Sequence, residues 1–312
     1  VRLAKALNAI GRTCITVGVL ILLFVAYQLW GTGIREAQAQ NRLEREFKAK
    51  QGLVGGTSSD VVGASTTATT APRTTDTVPP VTVPPTAPLA EGEALGRIQI
   101  PRISLDAIVV EGVGDDDLKS GPGHYPSTPA PGQKGNAAIA GHRTTYGAPF
   151  GSVDELAPGD PITVTTLQGT FTYKVMPQQD GSGHIIVNPN QTEVLNEIPG
   201  KNTLTLTACH PKYSASQRII VFAELQGDPK PAPPRPADVP APKLNDESLS
   251  GKKAPKLPAI LFGLLCAAIW VTAWQLGNRW RKWPAYAVGL PFFLIALFYF
   301  FENFSRLLPS NY

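Results

Sequence analysis

The sequence predicts an all-β domain held between membrane-crossing helices, and three observations carry that prediction. Residues 91–226 break into about eight short runs rich in Val, Ile, Thr, Phe and Tyr, separated by turns of Gly and Pro, the signature of a β-barrel or sandwich. Long apolar runs lie outside this middle part, at 13–30, 257–277 and 284–301, each of a length that suits a bilayer. The segments joining them to the middle, 51–90 and 227–256, are rich in Pro with Thr or Lys and too poor in large apolar residues to bury a core. Of the 312 residues, only the middle has the mixed pattern of a folded domain, with room for one core of ordinary size.

Taken in order, residues 1–12 are basic (Arg2, Lys5, Arg12), which puts the N-terminus in the cytoplasm and the middle domain outside. The run 13–30 ends on Tyr27 and Trp30, aromatics suited to the far interface. A cleaved signal peptide is the competing reading; the run is long for one, and no small-x-small site follows it directly. Residues 31–50 interleave Arg35, Glu36, Arg42, Glu44, Arg45 and Glu46, a juxtamembrane helix with solvated charge pairs. The Thr- and Pro-rich stretch 51–90 reads as a disordered spacer whose job is reach.

Inside the domain, 97–100 and 107–110 are short strands parted by a Pro-containing turn. Asp115, Asp116 and Asp117 are adjacent and lack the spaced ligands and glycine of a calcium loop, so they read as a solvated turn or helix start. The small-residue strand 136–141 delivers His142 into a loop, 143–151. Strands 161–166 and 170–175 form a hairpin about Gln168-Gly169. After the linker, the basic loop 278–283, with Arg279, Arg281 and Lys282 flanked by Trp280 and Trp283, belongs at a cytoplasmic interface. That leaves 302–312 as an external tail. The net charge of +4 is modest and its positive residues cluster near the apolar runs, which argues against a nucleic-acid surface.

The chemistry centres on two strands, 203–209 and 217–222. Cys209 ends the first just before Pro211, and Arg218 opens the second after the short turn 212–216. A thiol beside a fixed positive charge is a nucleophile; the bland alternative is a buried Cys and a surface Arg. Cys14 and Cys266 lie in apolar runs, so Cys209 stands alone in the domain, with no disulfide framework and no zinc spacing. A nucleophilic Cys needs an acid–base partner, usually His. His210 is its chain neighbour and points to the opposite face of the strand. His124, His142 and His184 remain; His142 fits best, because it closes an apolar strand and opens a loop.

Three motifs resemble the sortases, cysteine transpeptidases of Gram-positive cell surfaces. Thr205-Leu206-Thr207-Ala208-Cys209 is similar to their Thr-Leu-x-Thr-Cys signature, with Ala208 where Thr is usual. Ala140-Gly141-His142-Arg143 is similar to the segment bearing their catalytic His, and Gln217-Arg218-Ile219 to the strand bearing their Arg. Cys209-His210-Pro211 and Gly121-Pro122-Gly123-His124-Tyr125-Pro126 look most like the class E branch of actinobacteria. The resemblance implies a closed eight-stranded β-barrel with Cys209, His142 and Arg218 as catalytic residues and no cofactor. It implies cleavage of a sorting motif such as Leu-Ala-x-Thr-Gly between Thr and Gly, through a Cys209 thioester. Its implied partners are surface proteins bearing that motif, a peptidoglycan-precursor amine and membrane lipid, at a multi-pass cell-membrane location with the barrel outside. Tyr125 is a substrate-binding candidate, in competition with plain packing. The Asp-Pro-aromatic lid of pilus-building sortases does not occur; the Asp228-Pro229 pair follows the barrel and precedes Lys230. Rival readings are a thiol peptidase without transfer and a non-enzymatic, envelope-binding β-domain.

Overall fold

The computed structural model describes residues 2–56, 89–232, 255–279, 282–305 and 307. The strands are β1 (Ala94–Ile100), β2 (Leu105–Glu111), β3 (Gly123–His124), β4 (Asn136–Ala140), β5 (Pro161–Thr166), β6 (Gly169–Val175), β7 (Ile185–Val187), β8 (Thr203–His210) and β9 (Gln217–Leu225). They pair in the order β6-β5-β1-β2-β3-β4-β8-β9, and a β6–β9 ladder closes the ring. The closed barrel thus has eight strands, and β7 is a ninth laid on the free edge of β9. β9 is long enough to serve both neighbours. Its last residues pair with β6 through Ala223↔Val175 and its first with β7 through Arg218↔Val187.

Alternation of side chains explains the core. Ala137 and Ile139 of β4, Leu204, Leu206 and Ala208 of β8, and Ile219, Val221 and Ala223 of β9 all point into the barrel and are buried there. The opposite face of the same strands is also covered. Asn136 Oδ1 accepts from the Thr203 and Thr205 hydroxyls at 2.9 and 2.8 Å, so these polar side chains are buried with their hydrogen bonds made. In the β5–β6 hairpin, Thr166 pairs with Gly169, so Leu167 and Gln168 make the two-residue turn, one residue earlier than the sequence suggests. The acidic run forms a helical turn, α3 (Asp115–Leu118), and Asp117 accepts the Gly114 N–H at 3.1 Å.

The remaining helices are α1 (Arg2–Ala26), α2 (Thr32–Gly56), α4 (Leu257–Arg279) and α5 (Lys282–Ser305). Leu257–Arg279 and Trp283–Ser305 are long and apolar enough to cross a membrane. The apolar part of α1, Gly11–Ala26, is shorter, and a π-helical turn over Tyr27–Gly31 joins α1 to α2. Tyr27 packs with Cys266, Ala296, Leu297 and Phe301, gathering the end of α1 against the two C-terminal helices. The juxtamembrane helix is more than a solvated rod. Leu43 and Phe47 are buried against Ala94, Ile108 and Val110 of the barrel. It also runs on through Gly56, into the expected spacer; the rest of that spacer to residue 88, and most of the 227–256 linker, lie outside the described residues.

Candidate active site

Three neighbouring strands bring the expected residues to one end of one face. β8 and β9 are antiparallel with Cys209 directly opposite Arg218. β4 and β8 are parallel, with Asn136↔Thr203 through Ala140↔Thr207, and the Gly141 N–H extends the ladder to the Thr207 carbonyl at 3.0 Å. His142 leaves β4 two residues after Ala140, and Cys209 lies two residues after Thr207, so the same offset sets His142 beside Cys209. All three side chains carry the parity of the face turned away from the barrel core. Ala208 has the opposite parity and is buried in that core, so its departure from the signature lies on the side away from the thiol.

Each side chain has a distinct environment. His142 is 2 % exposed, its ring lies 5.1 Å from that of Tyr146 at a tilt of 38°, and its Nε2 has no hydrogen-bond partner among the described residues. Burial, with the charge of Lys119 second, pushes its pKa down to about 4. In the unliganded barrel at neutral pH, His142 is therefore neutral. Arg218 is buried, and its Nη1 donates to the Ala215 and Gln217 carbonyls at 2.9 Å each, which fixes the guanidinium under the β8–β9 turn.

Two residues escaped the sequence reading. Arg143 Nη2 pairs with Asp154 at 2.7 Å, and its Nη1 lies 3.4 Å from the Cys209 carbonyl and 3.3 Å from His210 Nδ1. Arg143 thus ties the strand end that carries the thiol to the loop that carries His142. Its position after His142 was visible in the sequence; the partner Asp154, in the turn Val153–Glu155, carried no signal.

The other histidines have different surroundings. His124 is buried with Nδ1 2.9 Å from Glu111 Oε2 and Nε2 3.0 Å from the Pro129 carbonyl, so both ring nitrogens are engaged. His184 precedes β7, and its Nδ1 is buried with no partner among the described residues. His210 lies against Arg143, and burial, then the charges of Arg143 and His184, lowers its pKa. Tyr125 is 1 % exposed, packed with Leu118, Ala138, Ala140 and Leu195, with its hydroxyl 3.1 Å from Thr207 Oγ1. These contacts put it on the same outward face of β4 and β8 as His142 and Cys209, about two residues back along each strand. No group of three or more His, Cys, Asp and Glu among the described residues could hold a metal ion.

Comparison with known proteins fits this geometry. The family model of the Sortase domain matches residues 98–226. Sortase SrtE1 of Streptomyces coelicolor is 31 % identical over 234 residues, which cover 70 % of this chain and 57 % of that protein. Sortase SrtE2 of the same organism is 31 % identical over 242 residues, covering 71 % of this chain and 83 % of that protein. The chain belongs to the sortase family. The solved sortase E of Streptomyces avermitilis is 36 % identical and covers 45 % of this chain and 91 % of its own, with a TM-score of 0.39. Sortases are cysteine transpeptidases, and the class E resemblance agrees with the names of the Streptomyces relatives. The matched segment of this sortase begins within β1 and ends just after β9, so it contains the whole barrel after the first residues of β1.

The displaced pKa of His142 has a consequence for stability. Between its ordinary value of 6.5 and about 4, the unfolded chain binds a proton that His142 in the barrel refuses. Its contribution to stability is fully present above 6.5 and is lost as pH falls toward about 4. Pulse proteolysis in urea across that range should show the barrel weakening with acid. His142→Gln should flatten that dependence; an unchanged slope in the variant would assign it to other groups.

Proposed function

We propose that this sortase is an active transpeptidase anchored in the cell membrane, with its barrel outside. It cleaves a Leu-Ala-x-Thr-Gly-like sorting motif between Thr and Gly and transfers the acyl part to an amine of a peptidoglycan precursor. The observation that carries this reading is the pair of registers that sets His142 and Arg218 on either side of Cys209. The Cys209 Sγ attacks the Thr carbonyl carbon while neutral His142 takes the thiol proton. The tetrahedral oxyanion forms beside the Arg218 guanidinium. The C–N bond then breaks, His142 gives its proton to the departing Gly amine, and a thioester remains. The acceptor amine attacks that thioester, loses a proton to His142 and leaves a new amide, and the thiol is restored.

Positive residues at the two ends read as cytoplasmic, and side-chain contacts at the ends read as external, support this membrane arrangement. Arg35 pairs with Glu302, and Phe24 meets Phe301 edge-on at 5.2 Å, which supports placing these ends of the N- and C-terminal helices on one side of the membrane. Three crossings agree with that pairing. The apolar stretch of the N-terminal helix, Gly11–Ala26, is shorter than the two C-terminal ones, and the π-helical turn Tyr27–Gly31 continues it.

The test uses the full-length protein in detergent with a panel of sorting peptides, with and without a small amine. Amide product that rises with amine concentration is expected; free acid alone at every amine concentration would favour a thiol peptidase. Arg218→Ala should lower the rate on the order of 10²–10³, the scale for losing an oxyanion donor. Arg218→Lys should not restore it, because an ammonium on a flexible stem cannot hold both turn carbonyls and face the oxyanion as the planar fork does. Recovery of activity in the lysine variant would reduce the role of Arg218 to bare charge.

A further inference from the structure

The catalytic pair is shut in. His142 is 2 % and Cys209 4 % exposed, so a peptide carbonyl reaches the thiol only after something moves. The loop leaving β4 also carries buried polar atoms without hydrogen-bond partners among the described residues: His142 Nε2, Arg143 Nε and Thr145 Oγ1. Such atoms are costly to keep and are satisfied by water or substrate once the loop shifts. Tyr146 and Ala148, in the same loop, hold the left-handed backbone at φ 50° and 45°, and the Tyr146 ring lies on His142.

Helix α2 reaches both the segment that carries Lys119 and Ser120 and the loop that carries Tyr146 and Gly147. Gln40 Nε2 donates to the Ile108 carbonyl at 3.0 Å and to the Ser120 carbonyl at 2.7 Å, and the Ile108 N–H donates to Gln40 Oε1 at 2.7 Å. The β2–β3 ladder begins only at Val110↔Gly123, so at Ile108 the glutamine amide takes the place of a missing strand. Gly121 permits this approach, since a Cβ there would sit 2.2 Å from Gln40 Nε2. Ser120 follows Lys119, whose charge acts on His142. One helical turn before Gln40, the Glu36 carboxylate abuts Gly147, where a Cβ would lie 2.7 Å from the carboxyl carbon. Gly147 follows Tyr146. Beyond Gln40, Leu43 and Phe47 bury against the barrel; before Glu36, Arg35 pairs with Glu302 and lies 5.0 Å over Phe298.

We propose that α2 is an autoinhibitory strap, holding the His142 loop shut over Cys209 through Glu36 and Gln40; this rests on Cys209 being the nucleophile of the proposed function. The hold is uneven. Gln40 is fully bonded, whereas Glu36 makes no ion pair among the described residues and burial raises its carboxyl to about 7. The weak end lies over the loop and next to the contact with the C-terminal span, where a change in the membrane helices would reach it first.

The test is alkylation of the full-length protein in detergent by iodoacetamide, with Cys209 followed by peptide mass mapping apart from Cys14 and Cys266. Loss of the three Gln40 bonds and the Glu36 contact in Glu36→Ala/Gln40→Ala should speed Cys209 alkylation about tenfold, while hydrogen exchange in β4 and β8 stays unchanged. Glu36→Ala alone keeps the Gln40 bonds and should move the rate the same way by less. No acceleration in Glu36→Ala overturns the strap, even if the double variant loosens the barrel. Alkylation reads access without any transfer step, so its failure leaves the amine-transfer assay standing, and the reverse holds as well.

Discussion

Cys209→Ala is expected to abolish both peptide cleavage and covalent adduct formation, a loss of at least about 10⁴ in rate. The reason is compositional and geometric together. No other cysteine lies in the barrel, and the two registers put the Cys209 thiol on the strand between those carrying His142 and Arg218. The barrel should stay folded, because Cys209 faces away from the core formed by Leu204, Leu206 and Ala208. Hydrogen exchange across β8 checks that directly. Residual thioester in the folded variant would mean that the chemistry runs elsewhere.

His142→Ala is expected to cost about 10²–10⁴ in kcat, the range for a lost general acid–base group, with little change in KM. His124→Ala is the informative contrast. His124 is held by Glu111, the Pro129 carbonyl and Thr128, so its loss leaves buried acceptors unpaired and should lower stability. Its turnover per folded molecule should stay close to that of the unaltered chain. Steady-state kinetics on both variants, normalised to folded protein, separate the two roles. An essential His124 and a dispensable His142 would overturn the acid–base assignment and the alignment of the His142 segment with it.

The sequence disclosed the Cys209–Arg218 pair because a short turn between two strands leaves little freedom of register. The hairpin logic that placed them side by side is local. The partnership of His142 was less legible, since it rests on a parallel ladder between residues as distant as Asn136 and Thr203, and only tertiary structure fixes that offset. The alternatives of barrel and sandwich stayed open for the same reason. Closure depends on β9 dividing its edge between β7 and β6, which no pattern within β9 announces. The packing of α2 on the barrel was hidden by charge. Glu36, Gln40, Leu43 and Phe47 follow helical spacing, but only the last two are apolar, so the stripe looked solvated. Asp154 carried no local signal at all, because its importance comes from the guanidinium that reaches it.

In the proposed reaction a Cys209 acyl-enzyme hands its peptide to an amine. Intact-protein and peptide mass spectrometry on the full-length chain, mixed with a Leu-Ala-x-Thr-Gly peptide, tests it most directly. An adduct on Cys209 with the mass of the peptide through Thr is expected, released as an amide when an amine is added. An adduct on another residue, or none while the peptide is still cleaved, would contradict it.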